Sequence, residues 1–296
     1  MPTFGAAERR IAQLLRKGCT FIFQGQKYTV INSGKPTCRK GEPKTDIYVE
    51  AQSESGDTIE IKISYKKENA DFIENKTNAE RAKALFGDEW SDIIINATES
   101  IRRVFETKKL IYKKGAGRTE CGAITLGWKY ELLNKTGGGL SGKVNLTRTQ
   151  IIDVYAGTHI STDKRDAVVN GVRVANSGIA NFILMNDTVA STQEVIDNIY
   201  TIDEYVDMYP DVYFACKALN YRTFKNKYDG NRPLSVYVNW YVKNNQLCHN
   251  LVFNEPLKVG GNKVADSLIS SLKELKVNTT DDIYAEMVSE PEIINF

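Results

Sequence analysis

Hydrophobic and polar positions alternate most strictly over residues 58–67, TIEIKISYKK. Ile59, Ile61, Ile63 and Tyr65 fall on one side of an extended chain, and Glu60, Lys62, Ser64 and Lys66 on the other, the signature of a half-buried strand. A second strand is predicted over 45–51, joined to it by the turn-forming SESGD. Upstream, Ile11, Leu14 and Leu15 give one apolar side to a helix over 6–17, stopped at Gly18. Short strands follow at 21–23 and 27–31 around Gly25, then a Gly- and Pro-containing loop over 33–44. Helices are predicted at 69–86, ended by Gly87, and at 91–108. Beyond Gly115 the pattern predicts a strand over 124–133, a glycine-rich turn, and a short helix capped by Thr147 and stopped by Gly157. A polar, irregular stretch spans 158–178. Strands are expected at 182–185, 212–215, 234–242 and 247–253, the last two joined by Asn244–Asn245. A helix over 264–275 and an acidic tail fraying from Asp281 complete the chain. The strands are too unevenly spaced for a doubly wound parallel sheet, so the expected class is mixed α/β of the α+β kind.

Composition narrows the function classes. The chain has 296 residues, 42% hydrophobic and 26% charged, enough to bury a sizeable core. Its 39 basic and 37 acidic residues leave a formal charge of +2, so any nucleic-acid surface must be local. The five cysteines, with no CxxC, suggest neither a disulfide framework nor a zinc knuckle. With only His159 and His249, histidine-dependent nucleases and three-histidine zinc sites are disfavoured. No stretch approaches the roughly twenty apolar residues of a membrane helix. The N-terminus carries Glu8, Arg9 and Arg10 in place of an apolar signal core. An intracellular, cytoplasmic protein without a membrane partner is expected.

The candidate chemistry sits on the polar side of the alternating strand. A hairpin centred near Ser55 places Gln52 opposite Thr58 and Ile47 opposite Ile63, which brings Asp46 opposite Ser64 with Lys66 just beyond. The register that pairs Asp46 with Glu60 drags Gly56 and Asp57, poor strand residues, into the ladder. Glu60 and Lys62 nevertheless share the face and remain the competing pair. An acid beside a lysine on adjacent strands is what a metal-dependent phosphodiesterase needs. Carboxylates hold Mg²⁺, and the ammonium orients or activates the attacking water. The same face equally describes a solvated strand surface.

Asp46 followed by Glu60-Ile-Lys62 or Ser64-Tyr-Lys66 resembles the catalytic pattern of the PD-(D/E)xK nucleases, which include many type II restriction endonucleases. A branch that cuts sites with a CCGG core has Ser-x-Lys on the strand and its glutamate displaced to the following helix. Here thirteen residues separate Lys66 from Glu80, inside the predicted 69–86 helix. The resemblance covers residues 41–81, with the proline of the family's Pro–Asp pair displaced to Pro43. It implies a restriction-endonuclease-like core, a mixed central sheet flanked by helices, with a catalytic part over 1–115. Residues 116–296 then supply remaining core strands and recognition and dimerisation elements. It implies a site of Asp46, Ser64, Lys66 and Glu80, with Asp46 and Glu80 on Mg²⁺. The implied activity is hydrolysis of double-stranded DNA at a specific sequence, leaving 5′-phosphates, by a homodimer of bacterial or phage origin. Glu80 lies at the border of its helix's buried stripe and can instead be a solvated charge. Glu8 is a fainter candidate for an auxiliary acid.

Two basic stretches are candidate DNA contacts: Lys35, Arg39, Lys40 and Lys44 before Asp46, and Lys143, Arg148, Lys164, Arg165 and Arg173 further on. The first suits backbone phosphates near the scissile bond, and the second suits base edges. Both also read as ordinary exposed loops. Gly137–Lys143 nearly matches a phosphate-binding loop, but Val144 stands where the hydroxyl is needed and no helix is signalled after it. Aromatic residues in the C-terminal third suit either stacked bases or strand cores. A non-catalytic DNA-binding protein and a structure-specific repair or phage junction nuclease are the alternative functions.

Overall fold

The computed structural model describes residues 4–66, 72–74, 77–186 and 188–296. The chain divides into two compact units, Met1–Asp71 with Leu146–Asp211 and Phe72–Asn145 with Val212–Phe296. The division expected at residue 115 falls inside the second of these. Both units mix helices and sheet, as the expected α+β class requires, and no described helix is long and apolar enough to cross a membrane.

The first unit opens with α1 (Phe4–Leu14), whose Ala7 and Ile11, followed by Leu15, are buried at helical spacing. Next come β1 (Thr20–Phe23) and β2 (Gln26–Gly34), joined by the two-residue turn Gln24–Gly25. Both turn residues have positive φ, 50° and 78°, which matches the twist of a tight hairpin. β3 (Ile47–Ser53) and β4 (Thr58–Tyr65) pair antiparallel with Ile47 opposite Ile63 and Gln52 opposite Thr58, the register expected from the hairpin. Gly56 supplies the positive φ of 95° that the short turn requires. Ile47, Val49, Ile61 and Ile63 are at most 1% exposed and form the core face with α1. Each such burial contributes about 1.5–3 kcal/mol. The polar members of the alternation therefore share the opposite face.

The rest of this unit returns after the second one. α2 (Arg148–Ala156) is capped by Thr147 in a capping box with Gln150 and ended by left-handed Gly157. The 158–178 stretch is more ordered than its polarity predicts. It contains α3 (Thr162–Arg165) and a small hairpin of β5 (Val168–Val169) and β6 (Val172–Arg173) around Asn170–Gly171. β7 (Phe182–Leu184) then adds parallel to β4, with Ile183 beside Ser64. α4 (Thr192–Asp197), β8 (Ile199–Thr201) and α5 (Ile202–Met208) follow, giving the sheet order β1-β2-β3-β4-β7-β8. A parallel neighbour demands a long crossover. Here the crossover holds a segment of the second unit together with α2.

The second unit is built on the strand Ala123–Leu133, paired with Val212–Arg222 and flanked by the hairpin of Val236–Lys243 and Gln246–Val252. Several expectations are corrected here. The helix predicted over 69–86 starts only at Ala79, where the Asn78 side chain caps it, and Phe72–Glu74 is a strand paired with Leu133 and Leu132. The helix predicted over 91–108 breaks into Trp90–Glu99 and Arg102–Glu106 at Ser100–Ile101. The tail does not fray: Ile294–Asn295 pairs parallel with Ile111–Tyr112. The near phosphate-binding loop ends in the strand Ser141–Val144, with Val144 buried. Of the aromatics expected either to stack bases or to fill strand cores, Tyr221 and Trp240 are buried, and the Trp240 indole donates to the Thr125 carbonyl at 3.0 Å.

Candidate active site

Asp46 stands immediately before β3, and its backbone N–H continues the ladder to the Ile63 carbonyl at 2.8 Å. That bond ties it to the end of the hairpin, beside the Ile63–Ser64 peptide. Its Oδ2 accepts the Tyr65 N–H at 2.7 Å and lies 3.8 Å from Lys66 Nζ. The Asp46 and Lys66 side chains are only 18% and 21% exposed, and Ser64 is buried. Lys66 is held from the other side too, because its N–H donates to the Leu184 carbonyl of β7 at 2.9 Å. Tyr65, between them in sequence, points into the core, so alternation alone turns Ser64 and Lys66 toward Asp46.

A second acid joins from α1. Glu8 is buried at the edge of the helix's apolar stripe, next to Ala7 and one turn before Ile11. Its Oε1 is 2.8 Å from the Nζ of Lys35, the residue directly after β2. Both charges act on Asp46. Burial pushes the Asp46 carboxyl above its ordinary value against the pull of Lys66 and the Tyr65 N–H, with Glu8 pushing it further and Lys35 opposing. Burial alone would lower the Lys35 ammonium, but the hydrogen bond to Glu8 and the charges of Glu8, Glu42 and Asp46 raise it. Acids and ammonium groups thus alternate over four residues, Glu8, Lys35, Asp46 and Lys66.

The donor set suits a small hard cation. Glu8 and Asp46 offer carboxylate oxygens and Ser64 a hydroxyl, with no sulfur or imidazole among them. Among the described residues no three His, Cys, Asp or Glu side chains converge as a complete metal cage. One or two carboxylates, completed by water and phosphate oxygens, are a shell that Mg²⁺ commonly takes. The donor types therefore suit Mg²⁺, and Asp46 and Glu8 are the residues that would hold it.

The remaining candidates are distributed as follows. Glu80 is exposed in the first turn of the helix Ala79–Phe86, which belongs to the second unit. The continuous 69–86 helix that carried its assignment is not formed. Glu60 and Lys62 are on the expected face, but Glu60 is opposite Glu50, about 13 Å along the strand from Ser64. Glu60 accepts the Tyr48 hydroxyl at 2.6 Å and lies 3.4 Å from Lys62 Nζ. Burial and that hydrogen bond raise the Tyr48 phenol. This competing pair is a self-contained group. His159 is no ligand in a metal set either; its Nδ1 lies 2.9 Å from buried Asp153.

The two basic stretches of the first unit meet. Thr37 and Val168 exchange backbone hydrogen bonds at 2.9 and 2.8 Å, and the Arg39 N–H donates to Asp163 at 3.0 Å. Lys44 and Thr45 N–H groups both donate to the Gly178 carbonyl. The Lys164 side chain lies against Gly41. Arg39, Lys40 and Arg173 are exposed. The arginines, however, are engaged by neighbouring acids. Arg148 meets Asp203 and Asp207 at 2.9 Å, Arg165 meets Asp166 at 2.9 Å, and Arg173 donates to the Asp166 carbonyl at 2.9 Å. Lys143 is exposed in a strand of the second unit.

No family model, no curated protein and no solved structure matches the chain.

Proposed function

We propose that the protein is a Mg²⁺-dependent nuclease acting on double-stranded DNA, with Asp46 and Lys66 at its centre. The observation that carries this reading is the approach of Lys66 Nζ to Asp46 Oδ2 at 3.8 Å beside buried Ser64. Both residues are held by backbone bonds on either side of β4, and the charge of Glu8 on α1 reaches Asp46. Asp46 and Glu8 would hold the ion, which supplies charge neutralisation at the phosphate and a lowered pKa for water. The Lys66 ammonium orients the attacking water, and the buried Ser64 hydroxyl fixes the wall beside Asp46. Water adds to phosphorus, the bond to the 3′ oxygen breaks, and a 5′-phosphate and a 3′-hydroxyl result. Lys35, Arg39, Lys40 and Lys44 supply positive charge for the backbone near the scissile bond.

The family pattern extends this proposal to a type II restriction enzyme, a homodimer on a palindromic site. A second reading, a structure-selective nuclease, is favoured by one observation. Arg148, Arg165 and Arg173 already hold acidic or carbonyl partners, so base readout requires each to exchange a contact. Incubation of mixed plasmids with Mg²⁺ separates the readings. Discrete fragments support restriction, nicks confined to branched DNA support the second, and intact DNA with a salt-sensitive gel shift refutes both in favour of a binding protein. Lys66→Ala is expected to abolish EDTA-sensitive cleavage while retaining the gel shift.

A further inference from the structure

Lys35 already neutralises one of the two acids proposed to bind metal. Its ammonium is 2.8 Å from Glu8 and its charge reaches Asp46, so the two acids proposed to bind metal already share one positive neighbour. The two partners differ in freedom. Glu8 sits on a helix whose Ala7 and Ile11 are locked in the core, and its side chain is 10% exposed. Lys35 has a flexible four-carbon stem, is 46% exposed, and begins the basic loop that also carries Arg39, Lys40 and Lys44. Of the two, Lys35 is the group that can leave. A phosphate arriving at that loop offers it another anion with no burial cost.

We propose that Lys35 is a positioning residue that serves as an internal counter-ion for Glu8 and Asp46. It is exchanged for a divalent cation when a DNA phosphate draws it away, so that metal and DNA bind cooperatively. In the metal-free protein the ammonium compensates buried Glu8 directly and adds its charge to that of Lys66 at Asp46. With DNA bound, the same ammonium neutralises phosphate and Glu8 turns to the metal. Linkage makes the effect reciprocal: DNA strengthens metal binding by the factor by which metal strengthens DNA binding, typically about 5- to 150-fold. This inference rests on the nuclease reading of the site.

The test is calorimetric titration of Ca²⁺ into the full-length protein, alone and with a duplex oligonucleotide, for wild type, Lys35→Met and Asp46→Asn. Thermal melts establish that each variant is folded, and Lys35→Gln, which retains polarity, repeats the measurement. The expected result is weak Ca²⁺ binding by the wild type, tightened at least about 5-fold by DNA. Both Lys35 variants should bind Ca²⁺ tightly without DNA and lose that dependence. Unchanged Ca²⁺ affinity in both Lys35 variants, with binding abolished in Asp46→Asn, overturns the counter-ion role and leaves the metal site standing. Ca²⁺ binding that survives in Asp46→Asn overturns the site itself and this inference with it.

Discussion

Replacing Asp46 by asparagine should stabilise the metal-free protein while destroying its activity. The carboxyl is raised above its ordinary value because burial outweighs the Lys66 ammonium at 3.8 Å and the Tyr65 N–H at 2.7 Å, and because Glu8 adds like charge. A carboxyl whose pKa is higher folded than unfolded binds its proton more tightly in the native state. Its favourable contribution is complete below the unfolded value and is lost as pH rises through the folded one. Wherever the Asp46 carboxyl is ionised it is therefore a net cost to folding. Asparagine is nearly the same shape and retains a carbonyl that can accept the Tyr65 N–H, so the substitution removes the charge with little loss of packing. Relief of a strained functional group is worth about 0.5–2 kcal/mol. For a unit of this size, each kcal/mol corresponds to a shift of about 2–4 °C. The assay is thermal melting in chelator across acid to neutral pH. The Asp46→Asn advantage should be absent where the wild-type carboxyl is protonated and should grow as pH rises. Adding Mg²⁺ should raise the wild-type transition and leave the variant unmoved, because only the former binds the ion. A variant that melts below wild type at neutral pH would refute the reasoning, since Asp46 would then be a structural partner of Lys66.

Other substitutions test separate parts of the site. Glu8→Gln should weaken Mg²⁺ binding and cut cleavage by about 100-fold or more, while Glu80→Gln leaves both near wild type; the reverse pattern in cleavage assays restores the displaced-glutamate assignment. Glu60→Gln should leave cleavage rates within a few-fold, because Glu60 is committed to Tyr48 and Lys62, and a large loss would move the centre to that pair. Gly178→Ala should lower the melting temperature, with a cost of about 1–3 kcal/mol, because a Cβ there would overlap the Lys164 carbonyl oxygen. An unchanged transition would show that the joined loops relax freely.

Much of the first unit is legible in the sequence where the signal is local. The period-two alternation of 58–65, the turn-forming SESGD and the poor strand character of Gly56 and Asp57 determine which residue faces Asp46, and the observed register agrees. Thr147 and Gly157 mark the ends of their helix because capping is chemistry within one turn. The failures are non-local. Residues 72–74 have helix-compatible composition, yet Phe72 and Glu74 pair with a strand more than fifty residues away, and a ladder partner overrides intrinsic preference. The acidic tail looks solvated until Ile294 finds Ile111. Glu8 carries a readable signal: it precedes Ile11 by three positions and Leu15 by seven, which puts a carboxylate on the buried side of an amphipathic helix. Charges at such positions require a partner.

The partner is supplied by chain order. Glu8, Lys35, Asp46, Ser64 and Lys66 all come from the first 66 residues, within a helix and a four-strand meander whose hydrogen bonds are short in sequence range. A later piece that the cluster uses directly is β7, whose Leu184 carbonyl holds the Lys66 N–H. Without β7, β4 is an edge strand, and Lys66 sits at its unanchored end with a free backbone N–H. The meander alone can thus place Asp46 opposite Ser64, but the position of Lys66 relative to Asp46 depends on a strand that arrives more than a hundred residues later. Loosening β7, for example by Ile183→Ala in the buried strand beside Ser64, should therefore cost activity through misplacement of Lys66 before it unfolds the hairpin. The observable is a fall in kcat with Ca²⁺ affinity preserved. Loss of Ca²⁺ binding in the same variant would mean that the acids, too, depend on the returning strand.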